Sequence, residues 1–119
     1  WENKVNSNLR PIIVGDYILT VSLEGYLVII EKKSGNIIRV TDVFNFFKEK
    51  QRKTIKPTGF VVGINNVYLS TSNGRMLLIN IASGKTTNAL KIDNDQISKP
   101  FVLNKDLFVV KDNAIIKLN

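Results

Sequence analysis

The 119-residue sequence contains no cysteine and no histidine. The first absence excludes disulfides, a thiolate nucleophile and zinc–thiolate sites, and leaves no mark of a redox compartment. The second removes the usual general base of nucleophilic catalysis and the commonest transition-metal ligand, so most hydrolase and metalloenzyme constellations have nothing to be built from. Any acid–base chemistry would rest on carboxylates, lysine or tyrosine. No apolar run approaches the roughly 20 residues of a membrane-spanning helix; Leu27 to Ile30 is typical of what is present, and a soluble module is expected. The chain starts at Trp1 without methionine, charged leader or apolar leader, so a targeting signal is expected outside this sequence.

What is present is 44% hydrophobic residues, enough for a core, and a formal charge of +7. A basic balance invites a nucleic-acid reading, because phosphate binding needs clustered Lys and Arg on one face. The composition, rich in Lys, Asn and Ile, instead matches the bias of an AT-rich coding sequence. No nucleic-acid partner is expected.

The strongest signal is internal repetition. The segment from Leu23 through Gly25 to Ile30 aligns with Ser72 through Gly74 to Ile79, and Ser34-Gly35-Asn36 aligns with Ser83-Gly84-Lys85, so both glycine pairs are 49 residues apart. The three prolines, Pro11, Pro57 and Pro100, each lead an apolar run and mark three unit starts. Turn signals at Gly15-Asp16, Glu24-Gly25 and Lys33-Ser34-Gly35 separate short runs of Ile, Val, Leu and Tyr, which predicts strands near 11–14, 17–22, 26–31 and 36–41. Unit two predicts strands near 59–62, 67–72, 75–81 and 85–91, and unit three has turns at Asn104-Lys105-Asp106 and Asp112-Asn113. Four antiparallel strands at this period describe an all-β propeller fragment: two four-stranded blades plus a three-stranded third.

The expected organisation is the end of a preceding blade and a linker over 1–10, blade one over 11–41, an insertion with a short helix over 42–56, blade two over 57–92, and a partial blade three over 93–119 lacking its fourth strand. A closed ring takes about four to eight blades. The missing strand is what ring closure by an N-terminal strand would supply, and Trp1 stands where a preceding blade would end. Two unpaired edges, near Trp1 and at 114–118, predict head-to-tail self-association of the isolated chain. Val21, Ile29, Leu69, Ile79 and Val109 fall in central strands and are expected between blades.

The insertion holds the candidate partner-binding set: Phe44, Phe46 and Phe47 with Lys48, Lys50, Arg52 and Lys53. Asp42 is expected to cap a helix whose Val43, Phe46 and Phe47 share a face while the basic residues stay solvated. Such a set suits an anionic membrane surface, RNA or a protein groove, or else the aromatics fold back over the blade. Arg39 and Arg75 are lone candidates for an interface anchor. Asp93-Asn94-Asp95 has the start of a calcium loop but not its glycine and distal glutamate, and reads as a turn between blades. Asp16, Glu24 and Asp106 read as solvated turn acids. No catalytic, metal or cofactor site is expected.

The phrase Gly25-Tyr26-Leu27-Val28-Ile29 … Lys33-Ser34-Gly35-Asn36, with its copy Gly74-Arg75-Met76-Leu77-Leu78 … Ala82-Ser83-Gly84-Lys85, resembles the repeat of the pyrroloquinoline-quinone-like propellers over nearly the whole chain. Ser34 and Ser83 stand where that repeat has Thr, and Arg39 and Asn88 where it has Trp, so the docking contact between blades is expected to be degenerate. One branch of the superfamily comprises quinone-dependent dehydrogenases, which use Ca²⁺, a catalytic Asp and, in many members, a vicinal cysteine pair that this chain lacks. The other comprises non-catalytic scaffolds, notably the propeller lipoprotein of the outer-membrane β-barrel assembly machinery, whose C-terminal blades the ending 112–119 most resembles. The resemblance implies a non-enzymatic periplasmic scaffold associated with the outer membrane through a lipid anchor of the parent protein. Its implied partner is the periplasmic domain of a barrel-assembly factor. A dehydrogenase fragment and a small-ligand-sensing propeller remain the alternatives.

Overall fold

The computed structural model describes residues 9–92, 98–103, 106–111 and 114–117. Eleven strands are described: β1 (Ile12–Val14), β2 (Tyr17–Val21), β3 (Tyr26–Glu31), β4 (Ile37–Asp42), β5 (Pro57–Val62), β6 (Asn66–Thr71), β7 (Arg75–Asn80), β8 (Thr86–Lys91), β9 (Phe101–Leu103), β10 (Asp106–Lys111) and β11 (Ala114–Lys117). They form three antiparallel meanders, β1-β2-β3-β4, β5-β6-β7-β8 and β9-β10-β11, each strand pairing with its sequence neighbour. These are two complete propeller blades and three strands of another.

The 49-residue period is physical as well as textual. Gly25 and Gly74 take φ of 92° and 76°, and Gly35 and Gly84 take 75° and 73°, the left-handed region that favours glycine. The ladder slips between Ile29 and Ile30, and again between Leu78 and Ile79, leaving Ile38 and Thr87 as the extra residues of equivalent bulges. The turn bonds repeat too: Glu31 N–H donates to Asn36 O at 2.8 Å and Asn80 N–H to Lys85 O at 2.9 Å. Serine suffices in these turns because its hydroxyl oxygen accepts a backbone N–H two residues on, at 3.1 Å from Asn36 and 3.2 Å from Lys85.

Alternate residues of a strand point to opposite faces, and this sorts the core. Leu19, Val21, Leu27 and Ile29 of the first blade meet Phe60, Val67, Leu69, Leu77 and Ile79 of the second in one buried cluster. The other face of blade two turns Met76 against Val109 of the third sheet, with Tyr68, Leu78 and Leu90 packed beside them. The five residues expected between blades, Val21, Ile29, Leu69, Ile79 and Val109, are all buried. The resulting two sandwiches of sheet faces are the blade-on-blade packing of a propeller.

The blades are also tied by polar contacts. Arg39 Nη1 donates to the Ile81 carbonyl oxygen at 2.7 Å, and Thr86 Oγ1 donates to Val43 O at 3.0 Å. In blade one an arginine reaches across to a backbone acceptor from the position where the repeat it resembles has Trp. Asn88, at the matching position of blade two, is exposed and accepts the N–H of Ala89.

Candidate functional site

Among the described residues the repeat is interrupted between β4 and β5. There the chain forms one 3-10 turn, Val43–Phe46, and one α turn, Glu49–Arg52. The expected capping by Asp42 is not made. Asp42 still belongs to β4, opposite Tyr26, and its carboxylate pairs with Arg52 at 2.5 Å, while the Val43 N–H donates to Gly25 O at 3.0 Å. The expected aromatic face is also different. A 3-10 helix repeats about every three residues, so Phe44 and Phe47 align, their rings edge to face at 5.7 Å. Val43 and Phe44 are buried, Phe47 is half-buried, and Phe46 is turned outward with 55% of its surface exposed.

The candidate set thus divides. Phe44 is a core residue, lodged against Gly25 and joined in the inter-blade cluster by Ile55, which closes the insertion from its far end. Phe47 braces it. Arg52 is half-buried against Asp42 and not solvated as expected. Phe46, Lys48, Lys50 and Lys53 are exposed. Phe46 stands at the edge of a cleft of about 530 Å³ between β4 and the turn before β8, shared with Val40, Thr41, Gly84 and Lys85. Val40 and Lys85 entered the site from outside the insertion. Val40 reaches the cleft from β4, and Lys85 meets it only once blade two docks on blade one.

The cleft is mechanically defined. A Cβ at Gly84 would lie 2.7 Å from Thr41 Oγ1, so the turn of blade two sits directly on the edge of β4. The floor is fixed and the lining includes Phe46 and Lys85, while Lys53 lines a separate concavity with Glu24 and Glu49. An aromatic side chain held in solvent by buried neighbours, sharing its cleft with a lysine on a flexible stem, is an arrangement that can seat an apolar segment bearing acidic groups.

The remaining candidates are dispersed. Arg75 is half-buried, and its Nη1 donates to Asn73 O at 2.9 Å within its own turn. Asp16 and Glu24 lie at opposite ends of β2, and Asp106 opens β10, where it pairs with Lys117 at 3.4 Å. These three carboxylates are not brought together. Asp93-Asn94-Asp95, Trp1 and the turn residues 104–105 and 112–113 lie outside the described residues. Among the described residues no group of three or more potential metal-ligating side chains is found, and no helix is long and apolar enough to cross a membrane.

No protein-family model matches the sequence, and no curated protein matches it. Solved structures do. The chain is similar to BamB from Moraxella catarrhalis, with 13% identity and a TM-score of 0.69 over 96% of this chain and 32% of that one. It is similar to the quinohemoprotein alcohol dehydrogenase ADHIIG from Pseudomonas putida HK5, with 16% identity and a TM-score of 0.67 over 92% of this chain and 17% of that one. It is also similar to the β-propeller domain of Cps50 (Swd1) from Myceliophteria thermophila, with 14% identity and a TM-score of 0.65 over 79% of this chain and 31% of that one. The chain spans about a third or less of each of these proteins. At such identities the likeness speaks to architecture alone, and the architecture is a run of β-propeller blades.

Proposed function

We propose that this chain is a non-catalytic propeller scaffold that binds protein, and that it serves outer-membrane protein assembly in the periplasm. The observation that carries the binding reading is Phe46, 55% exposed at the edge of the inter-blade cleft that Lys85 also lines, in an insertion whose Lys48, Lys50 and Lys53 are exposed. Exposed aromatics ringed by charge are favoured anchors of protein interfaces. The assembly role rests on the resemblance of the repeat to the propeller lipoprotein of the barrel-assembly machinery, in keeping with the fold likeness to BamB. The partner proposed is the periplasmic domain of a barrel-assembly factor, with membrane attachment through a lipid anchor of the parent protein.

Titration of that domain against the chain tests the reading. Phe46→Ala is expected to weaken binding by about 2 kcal/mol, roughly thirtyfold, with little change in the thermal melt, because the side chain is 55% exposed and its edge-to-face contact is with the half-buried Phe47. Replacing Lys48, Lys50 and Lys53 together by Glu is expected to slow association and to abolish its salt dependence. Wild-type affinity in both variants would contradict the site. A saturable, calcium-dependent thermal shift with added quinone would favour the dehydrogenase reading instead.

The isolated chain is also expected to self-associate. The face of blade one turned away from blade two carries Ile13, Ile37 and Val40, exposed to 61%, 47% and 54%, beside the buried Val28 and Ile30. By the 49-residue offset its Val28, Ile30 and Val40 occupy the positions of Leu77, Ile79 and Ala89 on the face by which blade two docks on blade one, and the third sheet presents Ile115 at the other end. Head-to-tail docking of one copy on the next covers both. Light scattering is expected to give a molar mass that rises with concentration above the monomer's; a monodisperse monomer at high concentration would contradict this.

A further inference from the structure

A second concavity lies between the blades, away from the insertion. It is a pocket of about 210 Å³ with Leu19 and Ile29 at its floor, Val14, Tyr17 and Ile38 around its rim, and Ile81 contributed by blade two. One charged group enters this otherwise apolar lining, the Arg39 guanidinium. Arg39 is half-buried and spends an Nη1 hydrogen on Ile81 O, 2.7 Å away. The ion pairs among the described residues are Arg52–Asp42 and Lys117–Asp106, and neither involves Arg39. A guanidinium offers five N–H donors in a planar fork suited to a carboxylate. A half-buried cation in an apolar site is costly until an anion meets it.

The geometry points to a binding site for the C-terminal residue of a peptide chain, an apolar side chain filling the pocket and the terminal carboxylate meeting Arg39. Size favours a single side chain, since pockets for drug-sized ligands run to about 300–1,000 Å³. The rim favours a peptide over a free acid. Val14, Tyr17 and Ile38 remain 42%, 45% and 54% exposed, and form an apolar collar that the residues preceding the terminal one would cover. Charge complementarity with the Arg39 guanidinium calls for a carboxylate next to an apolar side chain, and the C-terminal residue of a chain carries both on one Cα. The site shares no lining residue with the Phe46 cleft and does not depend on the role proposed for it.

The test is fluorescence anisotropy of the full 119-residue chain with a labelled Ser-Gly-Ser-Gly-Phe peptide, as free acid and as C-terminal amide. The free acid is expected to bind saturably and the amide about tenfold or more weaker, the scale of one charged hydrogen-bonded contact. Arg39→Gln is expected to lose a similar factor, while Lys33→Gln, which removes the same charge from an exposed turn, leaves binding unchanged. Because Arg39 also ties the blades, Ile38→Asp at the exposed rim provides a second variant; it too is expected to lose about tenfold or more through repulsion of the carboxylate and loss of the collar. Equal binding of acid and amide, equal losses in Arg39→Gln and Lys33→Gln, or no saturable binding would overturn the site. Displacement of the peptide by 3-phenylpropionate at concentrations matching the peptide's own affinity would overturn the peptide assignment in favour of free apolar acids.

Discussion

Replacing Phe44 by alanine is expected to destabilise the chain by about 3–5 kcal/mol, the cost of deleting a fully buried aromatic ring. Phe44 has no exposed surface and belongs to the one cluster that contains both blades and the insertion. Its loss removes one of the two rings that meet Phe47 edge to face and opens a cavity in the cluster that Val43 and Ile55 share, so the insertion loses footing at both ends. Urea denaturation would show this as a lowered midpoint. The same variant connects stability to function: with Phe44 gone, Phe46 is no longer held outward by a buried neighbour, and affinity for a partner should fall even where the chain remains folded. A loss below about 1 kcal/mol would mean that the ring is not the insertion's anchor.

Gly25→Ala is expected to cost about 2–5 kcal/mol, from two terms that add. Gly25 has φ of 92°, a conformation that costs an L-residue roughly 1–2 kcal/mol. Its Cβ would also lie 2.3 Å from Phe44 Cδ2, and overpacking of that kind costs about 1–3 kcal/mol. Retreat of the backbone is opposed by the bond from the Val43 N–H to Gly25 O, 3.0 Å. The prediction has an internal check. In the double variant Gly25→Ala, Phe44→Ala the added methyl enters the space the ring vacated, so the two costs should fall short of their sum by about 1 kcal/mol or more. Strict additivity would contradict the close approach of Gly25 to Phe44.

The blades were legible in the sequence because their determinants are local. Gly25 and Gly74, Gly35 and Gly84 mark turns that need left-handed backbone, and the runs between them are short and nearly continuously apolar, as strands covered on both faces are. Even Ser34 and Ser83 are explained by bonds within two residues of themselves. The insertion was only half legible. Its apolar residues fit an α-helical spacing that places Phe46 with Val43, but a 3-10 turn aligns Phe44 with Phe47 instead. Asp42, a good cap by residue type, was already committed to β4 and to Arg52. The apolar residues between blades could be named from their central strands, but the polar contacts across the interface left no trace in the pattern. Arg39 finds its acceptor 42 residues away at Ile81, and Thr86 reaches Val43, so neither the polar ties nor the two clefts beside them follow from any local motif.

The central claim is that a rigid pair of blades presents the insertion to a protein partner. Hydrogen exchange of the backbone amides, with and without the periplasmic domain of a barrel-assembly factor, tests it most directly, because it reports where contact occurs. The account predicts slowed exchange over 45–53 and along the edge of β4, with the exposed turn at 32–34 unchanged. Unaltered exchange throughout 45–53 while the partner is demonstrably bound would contradict it.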